Sequence, residues 1–67
     1  MTKEQALSAT VSLLTHVFES DVNSVATIMN ADAEARVGNK EGIKTLVKAL
    51  ESVRDFVDKL ITTIQEE

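Results

Sequence analysis

The fold is decided by residues 43–64, which read IKTLVKALESVRDFVDKLITTI. Apolar side chains recur in this stretch at alternating spacings of three and four residues, at Ile43, Leu46, Leu50, Val53, Val57, Leu60 and Ile64. An apolar stripe with a period of about 3.5 residues keeps facing one way only when its helix winds around another helix. The stretch therefore predicts a long α-helix packed against helical partners, in an all-α protein.

The turn before this helix is marked by glycine and asparagine. The chain has no proline, and Gly38 and Gly42 are its only glycines. Gly38 suits the left-handed position that ends a helix, and Asn39 suits the N-cap of the next one. Thr2 with Gln5 resembles a capping box at the start of the chain. We therefore expect an antiparallel helical hairpin, with a helix over about 3–36, a turn over about 37–40 and a helix over about 40–65.

The first segment carries two apolar rows of its own. One row contains Leu7, Val11, Leu14, Phe18, Val22, Val25 and Met29, and a second row beside it includes Ala6, Leu13, Val17 and Ile28. A single hairpin would leave one row of each helix in water, so we predict a homodimer that forms a four-helix bundle. The alternative is a three-helix bundle with a break near 19–21, where Ser20 or Asp21 would be the N-cap.

Length and charge limit the classes of function. The chain has 67 residues, which predicts one helical domain over 1–67, with no cysteine and a net charge of −4. The acidic balance disfavours general nucleic-acid binding, which relies on basic patches. No apolar run is long enough for a signal peptide or a membrane span, so we expect a cytoplasmic protein without membrane contact.

Asp21 interrupts the apolar row of the first segment. On a continuous helix it would lie between Phe18 and Val25, where an unpaired carboxylate is costly. A hairpin that turns near Gly38 places Asp21 opposite Arg54 or Asp55, and Arg54 interrupts the apolar face of the second helix. We therefore predict a structural ion pair between Asp21 and Arg54 inside the bundle.

The sequence offers no catalytic constellation. It lacks an interpretable Ser/His/Asp spacing and a glycine-rich phosphate loop, so we assign no catalytic, cofactor-binding or metal-binding residues and expect a non-enzyme. The remaining candidates for partner binding are polar residues on the outer helix faces. These are Ser12, Thr15, His16, Asn23, Lys44 and Lys48.

Three functions remain open. The first is a small helical regulator or adaptor that binds and modulates a protein partner, as inhibitors carried by phages and mobile elements do. The second follows from a resemblance, since the layout and the opening Met1-Thr2-Lys3 are similar to Rop-like plasmid copy-number proteins. That resemblance implies a four-helix-bundle dimer that binds RNA, here through the basic row Lys40, Lys44 and Lys48, although the acidic charge disfavours it. The third is a structural assembly unit.

Overall fold

Three helices make up the fold. The computed structural model describes residues 1–66, in which α1 spans Lys3–Val17, α2 spans Val22–Arg36 and α3 spans Lys40–Gln65, without any strand. This confirms the all-α class. The predicted continuous helix over 3–36 is wrong, and the three helices fit the alternative with a break near 19–21. The four-helix bundle of two-helix hairpins relied on that continuous helix, and the homodimer itself stays a prediction.

The break between α1 and α2 is made by local hydrogen bonds. Phe18 caps the end of α1, and its N–H donates to the carbonyl of Leu14 at 3.0 Å. Asp21 then takes an extended conformation as the N-cap of α2, and its carboxylate accepts from the Ser24 N–H at 3.2 Å. Such a carboxylate satisfies one of the free amides at a helix start, so the chain begins a new helix there.

The turn between α2 and α3 lies where the sequence predicts it. Gly38 has a φ of +86°, in the left-handed region that favours glycine, and its N–H donates to the Ala35 carbonyl at 3.1 Å. The Asn39 side chain caps α3 by accepting from the Glu41 N–H at 2.9 Å. At the start of α1, the Gln5 N–H donates to the Thr2 hydroxyl at 3.1 Å, which confirms the capping box.

The core is small and lies between the three helices. Its buried side chains are Leu14 of α1, Ile28, Ala31 and Ala35 of α2, and Leu46 of α3. The half-buried apolar side chains around it are Leu7, Phe18, Ile43, Ala49, Leu50 and Val53. No described residue of α3 beyond Val53 belongs to this core. The small side chains of α2 let α3 approach closely at Gly42, which is buried.

The helices run up, down and up along the core. Arg36, at the end of α2, donates to the Ser8 hydroxyl near the start of α1 at 3.2 Å, so α1 and α2 are antiparallel. Lys3 of α1 shares a recess with Ile43, and Val17 shares one with Val53, so α1 runs alongside the first half of α3 in the same direction. The second half of α3 continues for about 18 Å beyond the core, at about 1.5 Å per residue.

Candidate protein-contact face on the third helix

The second half of α3 exposes a continuous apolar face. Five large side chains on this face are between 44% and 76% exposed, namely Phe56, Val57, Leu60, Ile61 and Ile64. We call these five residues the α3 face. Their polar neighbours on the other side of the helix include Asp55, Asp58, Lys59 and Thr62. The helix is therefore amphipathic along a length that the rest of the described chain does not cover.

The α3 face is exposed because α1 and α2 are too short to reach it. A helix buries an apolar stripe only over the length of its neighbours, and α1 and α2 have 15 residues each against 26 in α3. The first half of the predicted ladder packs in the core as expected. Val57, which a hairpin of two long helices would bury, is 44% exposed because α1 ends at Val17.

The α3 face continues into a recess at the end of the core. This recess has a volume of about 300 Å³ and is lined by Val17 and its neighbour Phe18 at the end of α1 and by Ser52, Val53 and Phe56 of α3. Val17 is 46% exposed, so the apolar surface runs without interruption from α3 onto the end of α1. A partner that packs along α3 can therefore also place an apolar side chain between α1 and α3.

The predicted ion pair between Asp21 and Arg54 is corrected by the structure. Arg54 lies at the exposed surface with its Nε 3.6 Å from the Asp55 carboxylate. Asp21 is also exposed, and its carboxylate accepts a hydrogen bond from the Ser24 hydroxyl at 2.8 Å. The pairing required a continuous first helix to place Asp21 inside the bundle, and the break removes that requirement by turning Asp21 into a cap.

The cap also perturbs the acidity of Asp21. The hydrogen bond from the Ser24 hydroxyl, followed by the one from the Ser24 N–H, lowers the pKa of the Asp21 carboxyl below its ordinary value. Both bonds favour the ionised form of the carboxylate. The shift therefore has a structural cause at a helix start.

The predicted partner-binding residues are spread over the three helices. Ser12 and His16 are exposed on α1, while Thr15 is half-buried and its hydroxyl donates to the Val11 carbonyl at 2.6 Å. His16 Nδ1 lies 3.8 Å from the Glu19 carboxylate, and both side chains are exposed. These contacts lie within α1 and the turn that follows it, and partner binding by Ser12, Thr15 and His16 stays a prediction.

The other candidates lie in two shallow recesses. Asn23 of α2 shares one with Phe18 and Ala49, and Lys44 and Lys48 line another beside the half-exposed Val47. The Lys44 ammonium is 3.9 Å from the Glu41 carboxylate at the exposed surface. Thr45 lines both recesses, so Asn23 lies in the recess next to the one that the two lysines line.

Residues 1–66 provide neither a metal-binding cluster nor a membrane-spanning helix, and the chain matches no known protein in the comparisons made. Within residues 1–66, no group of three or more His, Cys, Asp or Glu side chains is arranged to hold a metal ion. None of the helices in that range has both the length and the apolar character needed to cross a membrane. Comparison of the chain with protein-family models, curated proteins and solved structures found no match.

Proposed function

We propose that this protein is a small non-enzymatic regulator or adaptor that binds another protein through the α3 face. The observation that supports the proposal is the exposure of five large apolar side chains on one side of a single helix. Burying one such side chain completely is worth about 1.5–3 kcal/mol. Five side chains that are about half exposed therefore offer on the order of 5 kcal/mol to a partner, before the costs of association.

The spacing of the α3 face favours a helical partner. Val57, Leu60 and Ile64 follow one another at three and four residues, the spacing by which amphipathic helices bind apolar grooves and other helices. The recess beside Val17 and Phe18 adds a pocket at one end of this stripe. An interaction surface with one apolar stripe and a terminal pocket fits an adaptor or an inhibitor of the kind that phages and mobile elements carry.

We propose a protein rather than RNA as the partner because of the charges. The chain has 11 acidic and 7 basic residues. On α3, the ammonium of Lys44 lies beside Glu41, which weakens the local positive potential. Phosphate binding depends on unopposed basic groups, and base stacking depends on aromatic platforms. The α3 face has Phe56 as its single aromatic residue.

The proposal is tested by capture from a native lysate with a matched pair of variants. Leu60→Asp places a charge on the α3 face, whereas Thr62→Asp places the same charge on the polar side of the same turn. We expect the wild type and Thr62→Asp to retain the same protein and Leu60→Asp to lose it, with no effect of nuclease treatment. Equal capture by Leu60→Asp, or capture that nuclease abolishes, would contradict the proposal.

A further inference from the structure

We infer that the α3 face binds the α3 face of a second copy of this chain, in an antiparallel arrangement about a twofold axis. The inference rests on the proposed function insofar as both treat the α3 face as a protein-contact surface. It goes further by naming the occupant of the α3 face in the free protein, which a regulated partner would have to displace. The evidence is the amount of exposed surface, the order of the apolar residues along α3 and the position of α1 and α2.

The chain exposes more surface than a compact protein of its size, and the excess is about the area that dimer formation buries. A compact protein of 7.3 kDa is expected to expose about 4,200 Å², whereas this chain exposes 5151 Å². Interfaces of standard size take about 800 Å² from each partner. The excess of about 1,000 Å² is therefore enough for one such interface on each chain. The shape agrees, because the radius of gyration is 13.4 Å, against about 11 Å for a compact chain of this length.

The apolar residues of α3 are complementary to themselves when the helix is reversed. Antiparallel pairing about a point between residues 58 and 59 places Val57 against Leu60 of the second copy, and Val53 against its Ile64. The same two layers recur on the other side of the axis by symmetry, which gives four apolar layers. A shift by one heptad toward the core would drive Ile64 of the second copy onto the buried Leu46. A shift the other way would leave Val53 and Val57 without apolar partners.

The flanks of this pairing contain no like-charge contact. In the antiparallel arrangement, Phe56 lies beside Thr63 of the second copy, and Arg54 lies beside its Ile61. The two Arg54 side chains lie about nine residues apart along the axis, which is roughly 13 Å. Charged residues at flanking positions usually decide the partner and the direction of a coiled coil. The absence of repulsion here is compatible with self-association.

The position of α1 and α2 excludes the parallel arrangement. Both helices pack against the ladder side of α3 over residues 43–53, where a parallel second copy would have to place its own α3. In the antiparallel arrangement, the two cores lie at opposite ends and only the second halves of α3 overlap. Ile64 of the second copy then reaches the recess lined by Val17, Phe18 and Val53.

Single cysteines test the direction, since the chain has none of its own. We expect a mixture of the Val57→Cys and Leu60→Cys proteins to form a covalent dimer after mild oxidation, in higher yield than either protein alone. A Thr62→Cys protein, with its thiol on the polar side, is the matched control and should form little dimer in any mixture. Highest yield from Val57→Cys alone would indicate parallel pairing and would overturn the inference.

Sedimentation equilibrium of the unmodified chain tests the occupant. At micromolar concentrations we expect twice the chain mass for the wild type and for Thr62→Asp, and the single chain mass for Leu60→Asp. Far-ultraviolet circular dichroism checks that Leu60→Asp keeps its helices, since Leu60 lies outside the core. A wild type that stays monomeric, or a Leu60→Asp protein that still dimerises, would overturn the inference.

The two proposals fail separately. A monomeric wild type whose captured protein is lost in Leu60→Asp overturns the second copy as occupant and supports the proposed function. A wild-type dimer that captures no other protein supports the inference and contradicts the proposed regulator. The hypothesis that then remains is a self-assembling structural unit. A monomer that captures nothing contradicts both.

Discussion

Replacing Gly42 by alanine should destabilise the protein, although the same change in an exposed helix would stabilise it. A Cβ at Gly42 would lie 2.5 Å from the Ala31 carbonyl oxygen, 2.7 Å from Glu34 Cβ and 2.8 Å from the Ala35 nitrogen. Ordinary contacts of this kind begin near 3.4 Å, so α2 and α3 would have to separate by about 0.9 Å. Two of the three atoms belong to the backbone of α2 and cannot rotate away.

The magnitude follows from two opposing effects. Overpacking a tight contact costs about 1–3 kcal/mol, and the backbone contacts place Gly42→Ala near the upper end. Alanine recovers at most about 1 kcal/mol from its better helix propensity. The net loss is therefore about 2 kcal/mol, or roughly 8–16 °C in Tm for a chain of this size.

The assay is thermal and urea unfolding followed by circular dichroism. Ala33→Gly, at an exposed position of α2, calibrates helix propensity in the same protein and should cost about 1 kcal/mol. An unchanged or higher Tm for Gly42→Ala would refute the close approach of α2 and α3 at this glycine.

Three further predictions concern the core and the cap. Leu14→Ala should lower the free energy of unfolding by about 2–5 kcal/mol because Leu14 is fully buried. Its neighbour Leu13 is 46% exposed, so Leu13→Ala should lower it much less. Similar urea midpoints for the two variants would contradict the assigned face. Asp21→Ala should lower Tm more than Asp21→Asn, since asparagine also caps a helix. Because the folded pKa of Asp21 is lowered, its charge stabilises the protein at pH values above the unfolded pKa. The advantage of the wild type over Asp21→Asn should therefore disappear as the pH falls through the folded pKa of Asp21. A difference in Tm that does not depend on pH would show that the charge has no role. Asp21→Ala and Arg54→Ala should have additive effects on the free energy of unfolding, and a clear coupling energy in the double-mutant cycle would restore the ion pair between them.

Much of the local structure could be predicted from short stretches of sequence. The Thr2 capping box, the left-handed Gly38 and the Asn39 cap each depend on hydrogen bonds between residues close in the chain, and the structure confirms all three. The ladder over residues 43–64 likewise predicted a helix through that whole stretch, and α3 contains it. Periodicity identifies which side of a helix is apolar, because the side chains repeat with the helix itself.

The candidate site could be predicted only in part. The ladder residues Val57, Leu60 and Ile64 of the α3 face are recognisable in the sequence, but the predicted hairpin places them in a seam between two long helices. Their exposure could have been inferred from length, because the ladder is longer than either helix of a first segment that breaks in two. The incorrect prediction for Asp21 has the same origin. On a continuous helix Asp21 would lie in an apolar row, whereas on a broken helix it is an N-cap.

Periodicity and turn residues are enough to predict that the chain is helical, where the second turn lies and which helix faces are apolar. Packing between the helices sets the break of the first segment at residues 18–21, and therefore how far α1 and α2 cover α3. Continuing or ending a helix through Glu19-Ser20-Asp21 changes the local free energy by only about 1 kcal/mol, because a cap offsets the lost helical bonds. Packing of Leu14 and Ile28 against Leu46 outweighs so small a difference, and local sequence cannot show that packing.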